Sequence, residues 1–115
     1  MQRGDIYLVD LDPAQGSEAN KTRPAVIVSN DATNRASERN GRGVVTVVPL
    51  TSNTARVYPF QTLVTAAESG LRLDSKAQAE QVRSVDASRL AHRVGRLAPA
   101  ARARVDMALR VHLDL

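Results

Sequence analysis

Val44-Val45-Thr46-Val47-Val48 is the stretch that most constrains what this chain can fold into. Five consecutive β-branched residues lose χ1 freedom in a helix and pack well on a pleated surface, so the run reads as a buried strand, ended by Pro49. Further strand-length segments lie on either side. Asp5 to Leu11 alternates, with Ile6, Leu8 and Asp10 on one face and Tyr7, Val9 and Leu11 on the other, before Asp12-Pro13 and Gly16 signal a turn. Residues 23 to 29 form a short apolar run with polar residues at both ends. Phe60 to Val64 is another strand, a weaker alternation runs from 76 to 85, and Leu90 to Leu97 reads as a strand interrupted by Gly95.

Helical signals are fewer. Ser29-Asn30-Asp31 offers caps for a short helix over 32 to 39. Pro99 suits the first turn of a terminal helix, in which Ala101, Val105, Ala108 and His112 share a stripe and Asp106 faces Arg110 at i,i+4. Five or more short strands followed by one amphipathic helix predict a mainly β fold, a small and strongly bent antiparallel barrel with the helix packed on it. The 115 residues fit one domain, 1 to 115, without repeat or linker. Only Tyr7, Tyr58 and Phe60 are aromatic, so the core must be aliphatic.

Several chemistries find no support. The chain has no cysteine, which removes disulfides, thiolate metal sites and a cysteine nucleophile, and is compatible with a cytoplasmic protein. His92 and His112 lack metal-ligand spacing, and no phosphate-cradling glycine motif occurs, so neither a metal nor a cofactor is expected. No apolar run approaches the roughly 18 residues of a membrane span. The net charge is +4, and since Lys21 and Lys76 are the only lysines, 14 of the 16 basic residues are arginine. That balance fits phosphate recognition.

The residues able to act on a phosphodiester sit where loops become strands. The polar loop Gly16-Ser17-Glu18-Ala19-Asn20-Lys21-Thr22 ends on Arg23, and Pro24 biases that arginine towards an extended backbone. Thr51, Ser52 and Asn53 follow the buried strand, and Gln78, Glu80 and Gln81 lie near residue 80. A carboxylate, a guanidinium and a hydroxyl suffice for phosphodiester transfer to an internal 2′-hydroxyl: one takes the proton, one neutralises the phosphorane-like charge, one holds a phosphate oxygen.

Three motifs in this order carry a resemblance. Gly16-Ser17-Glu18 with Arg23-Pro24-Ala25-Val26-Ile27-Val28-Ser29, then Val47-Val48-Pro49-Leu50-Thr51-Ser52, then Ala79-Glu80-Gln81-Val82-Arg83-Ser84-Val85, closely resemble the MazF/PemK (Kid-like) toxins of bacterial toxin–antitoxin systems. The resemblance runs from about residue 3 into the final helix. It implies an SH3-like barrel with a C-terminal helix, assembled as a homodimer. It also implies a metal-independent, sequence-specific endoribonuclease, an mRNA interferase, that cuts single-stranded RNA to 2′,3′-cyclic phosphate and 5′-hydroxyl ends. Growth arrest would follow, and a cognate antitoxin would neutralise it.

By motif, Arg23 is the principal catalytic group, Thr51 its hydroxyl partner, and Glu18 the acidic residue of the first loop. Ser17, Asn20, Lys21, Ser52, Asn53, Gln78, Glu80 and Gln81 are the expected RNA contacts, with Lys76, Arg56 and Arg83 as further phosphate candidates. Aromatic stackers are scarce, so base recognition is expected to lean on hydrogen bonds.

Two departures bear on the chemistry. Some members carry His where this chain has Ser17, and Arg and Asp where it has Gln78 and Glu80. Proton transfer then falls to Glu18, or to Arg23 in an environment that perturbs it. Two rivals share the barrel: a CcdB-like gyrase poison, and a non-catalytic RNA-binding module. The first relies on a terminal Trp-Gly-Ile, whereas this chain ends His112-Leu113-Asp114-Leu115.

Overall fold

The computed structural model describes residues 1–115. In chain order the elements are β1 (Asp5–Asp10), β2 (Thr22–Ile27), α1 (Asp31–Asn40), β3 (Val44–Thr51) and β4 (Gln61–Val64). These are followed by α2 (Ala66–Ser69), β5 (Ser75–Gln78), β6 (Arg83–Asp86), β7 (Leu90–Arg96) and α3 (Pro99–Leu113). Short 3₁₀ turns occupy Ala79–Gln81 and Ala87–Arg89. The strands form one seven-stranded sheet in the order β4-β5-β3-β2-β1-β7, with β6 also on β3. Every pairing is antiparallel.

β3 holds this sheet together. Its Val47–Pro49 stretch pairs with Ile27–Ala25 of β2 on one edge. On the other edge Val44–Val47 pairs with β6 and Leu50–Thr51 with β5. Successive side chains of a strand point to opposite faces. Val45 and Val47 therefore enter one core with Val9, Leu11, Ala25, Ile27 and Val85. Val48 and Leu50 enter a second with Ile6, Val26, Val64 and Ala77, which Ala101 and Val105 of α3 close. The alternation expected for residues 5 to 11 holds, since Ile6 belongs to the second core and Val9 and Leu11 to the first.

Pro49 does not end the strand as expected; β3 continues to Thr51. The proline falls where β3 exchanges β6 for β5, so its missing N–H comes at a gap in the ladder on that edge. The same exchange breaks the strand expected over 76 to 85. The chain pairs with two separate stretches of β3, and the turn at Ala79–Gln81 carries it between them.

The helices follow their caps. The Asn30 side chain accepts the Thr33 N–H at 2.8 Å, and Gly41 closes α1 at φ 67°. The Thr65 hydroxyl accepts the Glu68 N–H at 3.2 Å while Glu68 accepts the Thr65 N–H at 3.0 Å, a reciprocal capping box on α2. Glu68 also receives Arg104 of α3 at 2.6 Å. The Thr65 N–H first and then Arg104 hold the Glu68 carboxyl below its usual range. The expected Asp106–Arg110 pair is not formed, because Asp106 accepts Arg3 Nη2 at 2.6 Å from the N-terminus.

Gly95 of β7 is needed for close approach. A Cβ at this position would lie 2.2 Å from the Ser69 carbonyl oxygen at the end of α2. That atom is backbone and cannot swing aside. Gly95→Ala is accordingly expected to destabilise the fold by about 1–3 kcal/mol, the usual range for overpacking. A lowered urea midpoint at unchanged m-value would report it, and an unchanged midpoint would show that α2 shifts freely.

Candidate functional site

The first loop, between β1 and β2, is built by its own polar groups. The Leu11 N–H donates to Lys21 O at 2.9 Å and the Lys21 N–H to Asp12 Oδ1 at 3.0 Å, which closes its base. At its tip the Glu18 carboxylate accepts the Gln15 N–H at 2.6 Å. The outer side is pinned by Gln81, whose Oε1 accepts the Ala19 N–H at 2.8 Å and whose Nε2 donates to Ser17 O at 2.9 Å. Both ends of this amide are thus spent on loop backbone. The turn created by the β5–β6 break positions the loop.

Arg23 leaves that loop half-buried in β2, opposite Val9 of β1. Its Nε donates to Asn20 O at 2.9 Å and its Nη2 lies 3.4 Å from Asn20 Oδ1. It forms no ion pair, since the five ion pairs of the molecule involve other cations. A guanidinium carries five N–H donors, so Asn20 aims the group and leaves most of its donors unspent. Arg23 and Ser52 line a cleft of about 360 Å³ whose walls include Leu8, Leu50 and Leu71. The Thr51 hydroxyl accepts the Asn53 N–H at 3.3 Å, and Asn53 Oδ1 accepts the Ala55 N–H at 3.3 Å, so this second loop is also self-braced.

Other expected residues converge on a second concavity. Ser17, Gln78, Glu80, Gln81 and Lys76 line a groove of about 590 Å³. Lys76 is the cross-strand neighbour of Thr51, and Ser75 beside it lines the Arg23 cleft, so the β3–β5 ladder joins the two hollows. Lys76 is only 8% exposed; its ammonium donates to Arg56 O at 2.5 Å and lies 6.0 Å from the Tyr58 ring centroid. Glu80 Oε2 accepts Gln61 Nε2 at 2.7 Å, whereas its Oε1 is buried with no partner. An unmet buried acceptor costs about 1–3 kcal/mol.

Not every expected residue joins these hollows. Glu18, Asn20, Lys21, Thr51 and Asn53 line neither; the first three stay exposed on the first loop, Asn53 is exposed on the second, and Thr51 is half-buried at the end of β3. Arg83 donates to Leu11 O at 3.2 Å and so braces the loop base, and His92 is exposed on β7. The aromatics were missed as a group. Tyr58 and Phe60 stack with centroids 5.4 Å apart and planes 4° from parallel, Arg56 covers Tyr58 at 5.1 Å, and His112 of α3 meets Phe60 at 6.5 Å. The available signal was Tyr58-Pro59-Phe60, two of only three aromatics placed one residue apart.

A small antiparallel β-sheet closed by a C-terminal helix, with an arginine outside any ion pair and a polar groove at its strand ends, defines the class of fold in which relatives are found. Residues 2–113 match the family described as PemK-like, MazF-like toxin of type II toxin-antitoxin system, and the chain belongs to that family. It is 59% identical over 115 residues to the endoribonuclease MazF9 of Mycobacterium tuberculosis, covering 100% of this chain and 98% of that one. Among solved structures it resembles a MazF from Deinococcus radiodurans, at TM-score 0.82 and 26% identity, over 100% of this chain and 97% of that one. An endoribonuclease in complex with its cognate antitoxin from a mycobacterial species aligns at TM-score 0.78 and 26% identity, over 100% and 96%.

Replacing Gln81 by Ala removes both bonds that pin residues 17 and 19. Amide exchange at Ala19 is expected to quicken roughly five- to tenfold, the equivalent of one net hydrogen bond. Exchange measured by NMR at an unchanged rate would mean that the loop is held from its base alone.

Proposed function

We propose that this chain, an endoribonuclease toxin of its family, cleaves single-stranded RNA without a metal, by attack of the 2′-hydroxyl on the adjacent phosphate. The O2′–P bond forms and the P–O5′ bond breaks, leaving a 2′,3′-cyclic phosphate and a 5′-hydroxyl. Arg23 carries this reading, because a guanidinium aimed by Asn20 and free of any carboxylate is poised for an anion. Its charge meets the phosphorane as it forms, where such donors matter most. The Thr51 hydroxyl, already an acceptor for the Asn53 N–H, retains its own proton to donate to a phosphate oxygen.

Glu18 takes the 2′-hydroxyl proton, for which its carboxylate, exposed on the first loop and outside both hollows, must give up the Gln15 N–H and turn to the substrate. The departing O5′ then gains a proton from Glu18 or solvent. Asn20, Lys21, Ser52 and Asn53 bind the strand around the cut, and Ser17, Gln78, Glu80 and Gln81 line or position its neighbouring groove. The working unit is a homodimer in the cytoplasm, and cleavage of cellular RNA stops translation and growth. The cognate antitoxin is an acidic, partly disordered segment that folds onto the basic face and covers Arg23.

Purified Arg23→Ala is expected to keep the wild-type melting curve and to lose at least about 100-fold in cleavage rate, the usual cost of removing a donor to a developing oxyanion. The wild type should cut a labelled oligonucleotide in EDTA, and should fail on the same oligonucleotide with one 2′-deoxy sugar at the cut. Full activity in a folded Arg23→Ala protein would remove Arg23 from the chemistry. Cutting at the 2′-deoxy position would rule out attack by the 2′-hydroxyl.

A further inference from the structure

The second groove combines features that the cleavage step does not use. Glu80 lines it with a carboxylate, of which one oxygen accepts Gln61 Nε2 at 2.7 Å and the other is buried with no partner. Gln61 is itself fixed, because its Oε1 accepts the Tyr58 N–H at 3.2 Å. Lys76 spends one ammonium donor on Arg56 O and keeps two. The Tyr58–Phe60 stack lines the same groove, with Tyr58 40% exposed although the chain has only three aromatics.

An acceptor-only carboxylate, an ammonium with donors to spare and a flat aromatic face together match the edge and face of an unpaired nucleobase. The pattern also discriminates among bases. A carboxylate needs donors, and guanine alone presents two adjacent ones on its Watson–Crick edge, N1–H and the N2 amino group. Beside them O6 is an acceptor suited to the ammonium. Adenine and cytosine each offer one amino group next to an acceptor that repels a carboxylate. Uracil offers a single N3–H between two carbonyls.

We infer that this groove is a guanine-reading pocket in which Glu80 and Lys76 select the base and Tyr58–Phe60 stack on it. This rests on the ribonuclease reading for its substrate, and deepens it by naming one base. Gln61 is a positioning residue that fixes the Glu80 carboxylate. Because Lys76 neighbours Thr51 across the β3–β5 ladder, the selected guanine lies close to the cut phosphate along the strand.

The test uses binding as well as cleavage. Fluorescence anisotropy with an uncleavable RNA, 2′-deoxy at the cut, is measured for wild type and Glu80→Gln with guanine, inosine, adenine, cytosine or uracil at each position in turn. At one position the wild type is expected to prefer guanine by about 10- to 100-fold, the span of a good bidentate base contact. Inosine, which lacks the N2 amino group, should lose much of that preference. Glu80→Gln should flatten the preference at this position and leave the others intact, and a cleavage-site map should change in the same column. Phe60→Ala should weaken all sequences alike.

A Glu80→Gln protein with an unchanged preference would overturn the inference. So would an unchanged RNA pattern accompanied by weaker binding of the antitoxin, which would assign the groove to that partner. The inosine series needs only the wild-type protein, so a variant that fails to fold leaves a decisive measurement. Guanine-selective binding without any cleavage would uphold the pocket and sink the ribonuclease reading.

Discussion

The structure depends on one strand being buried on both faces while paired on both edges. Val45 and Val47 of β3 fill one core and Val48 and Leu50 the other, and all four are at most 1% exposed. Full burial of a Val or Leu side chain stabilises by about 1.5–3 kcal/mol, so this strand carries a large share of the apolar driving force. An aliphatic composition suits the task. Branched side chains of similar size pack densely on a twisted sheet; of the three aromatics only Tyr7 packs against the core, and Tyr58 and Phe60 line the second groove. The edges matter as much as the faces, because β3 can hold β2 and two further strands only by exchanging one partner along its length.

That exchange creates the site. Where β6 gives way to β5, the chain needs the turn at Ala79–Gln81, and the turn presents Glu80 to the groove and Gln81 to the first loop. The loop between β1 and β2 has no secondary structure of its own to fix it. Its shape follows from Asp12, Gln15 and Gln81 hydrogen bonds, and Arg23 stands where it rejoins the sheet. Fold and site are thus coupled through side-chain amides and carboxylates, together with the packing of Ala19 on the first core.

Much of the fold was legible because its signals are local. The alternation of residues 5 to 11, the β-branched run at 44 to 48, the Asn30 cap and the Pro99 helix start each act within a few residues, and each is found. The extension of β3 past Pro49 and the break near 80 were not legible. Both follow from which strand pairs with which, a long-range fact that propensity does not carry. The site divides in the same way. Arg23 at a strand mouth could be read from Pro24 alone. The Phe60–His112 contact and the Glu80–Gln61 bond join residues 52 and 19 positions apart in the chain, and only the folded sheet brings them together.

On the proposed function, the two hollows would place different demands on one RNA strand. The Arg23 cleft holds charge and apolar walls, which suit a phosphate and the ribose beside it. The Glu80 groove combines a carboxylate, the Lys76 ammonium and two stacked aromatic rings, a set that suits a base rather than a phosphate, so the strand would turn its backbone away there. Paired positions of antiparallel strands lie about 5 Å apart. The Thr51–Lys76 pair lies at about that spacing on the ladder that borders both hollows. A strand that satisfies both must be unpaired, because a base held in a duplex cannot present its Watson–Crick edge to Glu80 while its phosphate meets Arg23. On the proposed function, a preference for single strands would follow from the placing of the two hollows along the β3–β5 ladder, with no separate device to exclude a duplex.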